Sequence, residues 1–194
     1  MTAAAQTAEG RYSNRRYFEN TATGEKFDFV KTAADTNGEY AECIITVPAG
    51  FNAIPIHAHP HQSEEFTVIA GTLGIKNNGE TRSLGEGEHI VSTAGSAHTW
   101  WNAGDGELRF HAKIVPPMHF SEIVGTIYDS ANARGSTEPN LLDAAYVLTK
   151  YRGEYDPIFL PKPVQIFGMP ILYALGKLTG RHRLIDQWIA AHYE

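Results

Sequence analysis

The chain has 194 residues, 42% hydrophobic, 20% charged and 11% aromatic, which is the composition and length of about one globular domain. Sixteen Lys and Arg against 22 Asp and Glu leave a net charge of -6, which disfavours a surface built for phosphate backbones and makes nucleic acid an unsuitable partner. A single cysteine, Cys43, excludes any intrachain disulfide.

In chain order, residues 1–20 lack sustained periodicity, with Ala, Thr, Gly and Asn preceding Arg11, Arg15 and Arg16, and are expected to form a loosely attached tail. The first ten residues have no basic n-region and no apolar run of signal length, so a cytoplasmic location is expected. From Thr21 to Pro117 the text changes to short apolar-alternating runs, predicting strands at Glu25–Lys31, Glu39–Val47, Glu64–Ala70, Leu73–Lys76, His89–Thr93, Thr99–Asn102 and Leu108–Val115. Asn37-Gly38 and Asn78-Gly79 are tight-turn signals between such runs, because both residue types tolerate positive φ. Many short strands with close turns predict an antiparallel sandwich or barrel, ended by Pro116-Pro117.

Beyond Pro117 the period becomes helical, at Phe120, Ile123, Val124 and Ile127, then Leu141, Leu142, Ala145, Tyr146 and Leu148, and finally Leu184, Ile185, Trp188 and Ile189. Residues 118–194 are therefore expected to be a helical extension packed on the barrel within one structural unit. It would serve as a lid over the barrel mouth or as a packing and dimer element. Pro161, Pro163 and Pro170 are expected to interrupt it, Gly176 and Gly180 to mark helix ends, and Arg181-His182-Arg183 to form a solvated helix start. The apolar stretch Val164–Leu175 contains Gln165, Gly168 and Pro170 and is too short for a membrane span of about 20 residues.

The segment that carries chemistry is Gly50 to Gly71, which holds the pattern H-x-H-x4-E-x6-G at His57, His59, Glu64 and Gly71. In extended chain, residues two apart face one side, so His57 and His59 can offer two imidazoles to one point. After a turn Glu64 can reach that point from the next strand, on the same face as Phe66, Val68 and Ala70. Downstream, Gly87 to Asn102 supplies His98, which shares its parity with Trp100 and Asn102. His57, His59, Glu64 and His98 are thus candidate ligands of one metal ion, with Phe66, Trp100 and Asn102 as candidate pocket walls. Glu64 is also the candidate proton-moving group. His61 is expected to be a solvated loop residue, His111 to lie outside the cavity, Cys43 to be a small buried thiol, and Trp101 to serve an interface or helix contact.

These motifs resemble the cupin superfamily over about Lys26 to Pro117. The first family motif, G-x5-H-x-H-x3,4-E-x6-G, is matched at His57, His59, Glu64 and Gly71, and the second, G-x5-P-x-G-x2-H-x3-N, at Gly87, Gly95, His98 and Asn102. Thr93 stands at the proline position, and Gly50 precedes His57 by one residue more than the pattern. The short span between Gly71 and Gly87 resembles compact microbial single-barrel members. The resemblance implies a mainly β fold, a double-stranded β-helix (cupin jelly-roll barrel) with a C-terminal helical extension. It also implies one divalent transition metal on those four ligands, and cupin-like proteins suggest a homodimer. Three imidazoles and a carboxylate suit Fe, Mn, Ni, Co, Cu or Zn without choosing among them. A small-molecule substrate follows, with oxygenase or related oxidoreductase chemistry first, redox-neutral isomerase, epimerase or lyase chemistry second, and a non-catalytic metal-dependent ligand-binding module third.

Overall fold

The computed structural model describes residues 12–191. Among them nine strands precede four α-helices: β1 (Tyr17–Asn20), β2 (Glu25–Lys31), β3 (Ala41–Val47), β4 (Ser63–Ala70), β5 (Leu73–Asn77), β6 (Glu80–Leu84), β7 (His89–Ser92), β8 (His98–Asn102), β9 (Leu108–Val115), α1 (Phe120–Asn132), α2 (Leu141–Lys150), α3 (Met169–Leu178) and α4 (Arg181–Ala190). The strands form a six-stranded sheet in the order β1-β2-β3-β9-β4-β7 and a three-stranded sheet in the order β6-β5-β8. All named pairings are antiparallel. Residues 54–57 run along β8, where Ile54 N–H donates to Trp100 O at 3.1 Å and His57 and His98 exchange backbone bonds at 3.0 and 2.8 Å.

Alternation builds the interior between the sheets. Ala41, Cys43, Ile45 and Val47 of β3 point inward beside Leu108, Phe110, Ala112 and Ile114 of β9, all buried, while the residues between them are partly or fully exposed. Each large apolar side chain so buried contributes about 1.5–3 kcal/mol of transfer free energy. The turn chemistry follows the sequence: Asn78 and Gly79 take φ of 49° and 88° and join β5 to β6 in a two-residue hairpin. Gly71, with φ of 85°, lies where an added Cβ would come within 2.7 Å of Glu107 O, so only glycine fits beneath the start of β9.

Four expectations need correction. Residues 17–20 are not part of a loose tail but form β1, paired with β2 from Tyr17↔Asp28 to Asn20↔Glu25. Phe18 anchors it, 1% exposed and edge-on to Phe29 at 5.5 Å, while Arg15 holds Asp129 of α1 through two bonds of 2.6 and 2.9 Å. Residues 12–16 of the expected tail are described as well, and residues 1–11 lie outside the described residues. Strand β6 had no apolar alternation to announce it, since Glu80 to Ser83 are all exposed. Pro170 does not interrupt the helix. A π-helical turn over Val164–Gly168, with Met169 N–H bonded to Val164 O, widens the coil just before it and leads straight into α3. Arg181-His182-Arg183 does start a helix, at Gly180 with φ of 77°, but of the three only Arg183 is exposed. Arg181 grips the buried Asp143 carboxylate at 2.7 and 2.6 Å, and His182, itself buried, packs on Tyr173 and on Gly176, which sits inside α3 rather than at its end.

The helical segment performs two tasks. Helix α1 lays Phe120 and Tyr128 into the barrel core, with Phe27 at 6.2 and 5.8 Å from their rings, and Val124 and Ile127 pack against the same core. The other face of α1, through Ile123, joins a second cluster with Tyr146, Val147, Tyr151 and Ile185 of the later helices and their connections. One face of the π turn and α3, with Val164, Phe167, Ile171, Leu175 and Leu178, is exposed. Among the described residues no helix is long and apolar enough to cross a membrane.

Candidate metal centre

His57 and His59 flank Ala58 in an extended segment pinned on one side by His98 and on the other by Asp156, whose backbone exchanges bonds with Ala58 at 3.0 and 2.8 Å. The two imidazoles consequently leave the chain on one side, their ring centroids 5.0 Å apart. Glu64 is the second residue of β4, inward-facing between Ser92 of β7 and Ile114 of β9, and His98 opens β8. One ligand atom from each of His57, His59, Glu64 and His98 lies within 4.8 Å of all the others, and all four residues are buried.

The imidazoles are aimed by their other nitrogens. Nδ1–H of His57 donates to Pro55 O at 2.8 Å, that of His59 to Glu154 O at 3.0 Å, and that of His98 to Ser96 O at 3.0 Å. A carbonyl can only accept, so each Nδ1 carries its proton and each Nε2 presents a lone pair to the interior, the arrangement that metal-binding histidines need. Glu64 Oε2 lies 2.8 Å from His98 Nε2 and 3.7 Å from His59 Nε2, yet neither Glu64 Oε2 nor His98 Nε2 has a hydrogen bond of acceptable geometry. Buried acceptors that converge without a donor are expensive unless a cation satisfies them.

Protonation agrees with that reading. Burial, with help from His98 and His59, pushes His57 down to about 3, keeping it neutral. Burial pushes Glu64 up, but the three surrounding imidazoles outweigh it and hold the carboxyl down at about 2. Burial works against a charged His98, whereas the facing Glu64 carboxylate more than offsets it and raises the imidazole above its ordinary value. Neutral imidazoles beside one carboxylate are a donor set for a divalent transition metal, and the residues present fit such an ion.

A cavity of about 340 Å³ opens from this cluster into the barrel. Its walls include Phe66, Trp100, Phe120 and Ile127, and Tyr155 stacks on His57 at 5.0 Å. Phe66 and Trp100 therefore stand where parity placed them. Asn102 does not. Its side chain lies beyond the cavity at the end of β8, where Nδ2 donates to Val47, Pro48 and Gly106 carbonyls and Oδ1 accepts from Gly104 N–H. Its shared parity with His98 is real, but two strand steps beyond Trp100 it meets turns instead of open space. His61 is exposed, His111 is half-buried on the outer face of β9, and Cys43 is fully buried. Trp101 covers Gly74 of β5, where any side chain would collide with its indole.

Sequence reasoning missed much of the cavity lining, including the polar residues Tyr155, Tyr128 and Glu25. Tyr155 lies in the connection after α2, with no periodic pattern to mark it. Tyr128 falls one residue after the apolar positions recognised in α1. Glu25 was assigned to a strand but not to its inner face, although its parity with Phe27 and Phe29 was available.

Comparison with known proteins decides the family. Residues 43–114, running from β3 to β9, match the Cupin domain family model. This segment is a cupin domain. The chain is 32% identical over 97 residues to the mannose-1-phosphate guanylyltransferase ManC of Salmonella typhimurium, covering 50% of this chain and 19% of that protein. The chain therefore spans about a fifth of the length of the curated relatives it matches. Among solved structures the chain is similar to KdgF from Halomonas sp., with 14% identity and a TM-score of 0.44 over 51% of this chain and 84% of that one. It is also similar to a cupin sugar phosphate isomerase from Silicibacter pomeroyi, with 17% identity and a TM-score of 0.42 over 54% and 68% of the two chains.

Proposed function

We propose that this cupin domain and its helical extension form a metal-dependent enzyme acting on a small organic molecule. The observation that carries the proposal is the buried set of three tautomer-fixed imidazoles, His57, His59 and His98, and one carboxylate, Glu64, beside a ligand-sized cavity. A divalent ion held by His57, His59, Glu64 and His98 would supply Lewis-acid polarisation of a substrate oxygen or activation of water or O₂. The chain's own contribution is to aim three Nε2 lone pairs, keep Glu64 charged, and exclude water with Phe66, Trp100 and Phe120. Held down at about 2 and surrounded by imidazoles, Glu64 is suited to ligation and poorly suited to exchanging protons at neutral pH.

Two reaction classes use such a site. Oxygenase or related oxidoreductase chemistry is the reading that the N₃O donor set favours. Redox-neutral isomerase, epimerase or lyase chemistry is the reading that the cavity favours, because a second titratable carboxyl, Glu25, lines it away from the ligands. Elemental analysis of protein purified without added metal, followed by oxygen uptake on a panel of phenols, flavonoids and keto acids, tests both. Near-stoichiometric metal supports the enzyme, and its absence even after incubation with Fe(II), Mn(II) or Zn(II) overturns it. Oxygen consumption selects the first class, and turnover without it selects the second.

A further inference from the structure

We propose that Glu25 is the proton-transfer group of the cavity it shares with Tyr128, and that the cavity takes a small carbonyl compound with an ionisable C–H beside the carbonyl. The proposal rests on the metal-dependent reading above and selects its redox-neutral branch.

Glu25 opens β2 on the inward face, in a row with Phe27 and Phe29, and is 5% exposed. Among the described residues no Lys, Arg or His forms an ion pair with it, and Tyr128 of α1, which lines the same cavity, is the one neighbour that favours its charged form. An acidic side chain in an apolar row without a cation is a poor structural choice, since glutamine or leucine would fill the position at lower desolvation cost. The same cavity is lined by Glu25, by Tyr128 and by His57, His59 and Glu64, so a molecule filling it touches the carboxyl and the ligand cluster together.

The surroundings of Glu25 leave its proton mobile. From β1 it faces the uncharged Asn20, from β3 the apolar Ile45 and, behind Tyr128, the Cys43 thiol, and from the connection before α2 the exposed Glu138 at the rim. Burial pushes the carboxyl up to about 7, with Tyr128 pulling partly against it, so both protonation states are populated at neutral pH. Burial and Glu25 together keep Tyr128 protonated. Cys43 offers no competing base, because burial and nearby carboxylates raise its thiol well above the ordinary value.

With the substrate carbonyl toward the ligand cluster, the adjacent C–H faces Glu25. The C–H bond breaks, its proton passes to a carboxylate oxygen of Glu25, and the electron pair moves through the new C=C bond onto the carbonyl oxygen, giving an enolate. Return of the proton to the same or a neighbouring carbon regenerates the carbonyl compound or its isomer. No oxidant or reductant enters the balance.

The test incubates the full chain, loaded with Mn(II) or Zn(II), in D₂O with pyruvate, dihydroxyacetone or cyclohexanone, and reads deuterium incorporation by NMR and mass spectrometry. At least one probe is expected to exchange faster than in protein-free controls, with at least about a 100-fold loss in Glu25→Gln at unchanged metal content and partial recovery in Glu25→Asp. The rate should rise with pH through the neutral range. Tyr128→Phe, which removes the hydroxyl favouring the carboxylate, should move that rise to higher pH. In protein carrying ¹³C-labelled glutamate, one carboxyl should titrate near neutrality and vanish in Glu25→Gln. Full exchange in Glu25→Gln, no exchange of any probe by metal-loaded wild type, or an unshifted profile in Tyr128→Phe overturns the inference and leaves the metal centre standing. Failure to bind metal overturns the reading beneath it, and the inference with it.

Discussion

Glu64 Oε2 and His98 Nε2 face each other across 2.8 Å, and Ser96 decides how many protons lie between them. By accepting from His98 Nδ1, the Ser96 carbonyl fixes the imidazole so that a single proton or a metal ion must reconcile two acceptors. Without metal the facing Glu64 carboxylate favours a proton on His98, so the imidazole is raised while Glu64 stays charged.

Metal binding must therefore expel a proton. His57, pushed down to about 3, and Glu64, at about 2, have none to release above pH 5, whereas the raised His98 does. Metal affinity should rise about tenfold per pH unit below the raised His98 value and level off above it. Calorimetry at neutral pH in two buffers of different ionisation enthalpy should show release of about one proton per ion. A pH-independent affinity between 5 and 8 would contradict this assignment of the proton.

His59→Ala should abolish stoichiometric metal binding. The substitution removes one of four donors and leaves Glu154 O without its imidazole partner, so affinity should fall by well over about 100-fold, more than the loss expected when only an outer partner of a ligand is removed. Elemental analysis after dialysis checks this, and full occupancy in the variant would reject the ligand set.

Asn102→Ala should cost stability without touching the metal. Its amide bonds the Val47, Pro48 and Gly106 carbonyls and the Gly104 N–H, so truncation strands several backbone groups at once. A loss of about 1–3 kcal/mol in denaturant unfolding is expected, with unchanged metal stoichiometry. Lost metal with retained stability would return Asn102 to the cavity wall.

Gly176→Ala reverses the usual sign of such a change. In an exposed helix interior, alanine for glycine gains up to about 1 kcal/mol. Here the new methyl would meet His182 Nε2 at 2.6 Å, and His182 is itself wedged against Tyr146 and Tyr173. A loss of about 1–3 kcal/mol is expected, and little further loss when the change is made in a His182→Ala background. Thermal unfolding of the three variants decides it.

The legible parts of this molecule are those where one local pattern suffices. Strand β9 alternates from Leu108 to Val115 with its inward row entirely apolar, and its bounds follow directly. His57 and His59 are legible for the same reason, since two-residue spacing in extended chain sets their direction without reference to any partner. Strand β6 is hidden because Glu80 to Ser83 face solvent and carry no apolar row. Strand β1 is hidden because its signal is a single inward Phe18, meaningful only once Phe29 and α1 stand beside it. Tyr155 and Tyr128 reach the cavity by tertiary packing, which no periodicity records. Glu25 was visible as an inward-facing acid; what its parity could not show was that Tyr128, rather than a cation, would meet it.

The carbonyl that orients His59 belongs to Glu154, ninety-five positions downstream, in the connection that follows α2. The same residue's carboxylate clasps His119 at the threshold of α1, at 3.0 Å from its amide and 2.6 Å from its ring. The motif that carries His57, His59 and Glu64 is thus incomplete as a module. Excised with its strands and transplanted alone, it would arrive with one imidazole free to swivel, so the helices behind the barrel set the tolerance of its chemistry as well as shelter it.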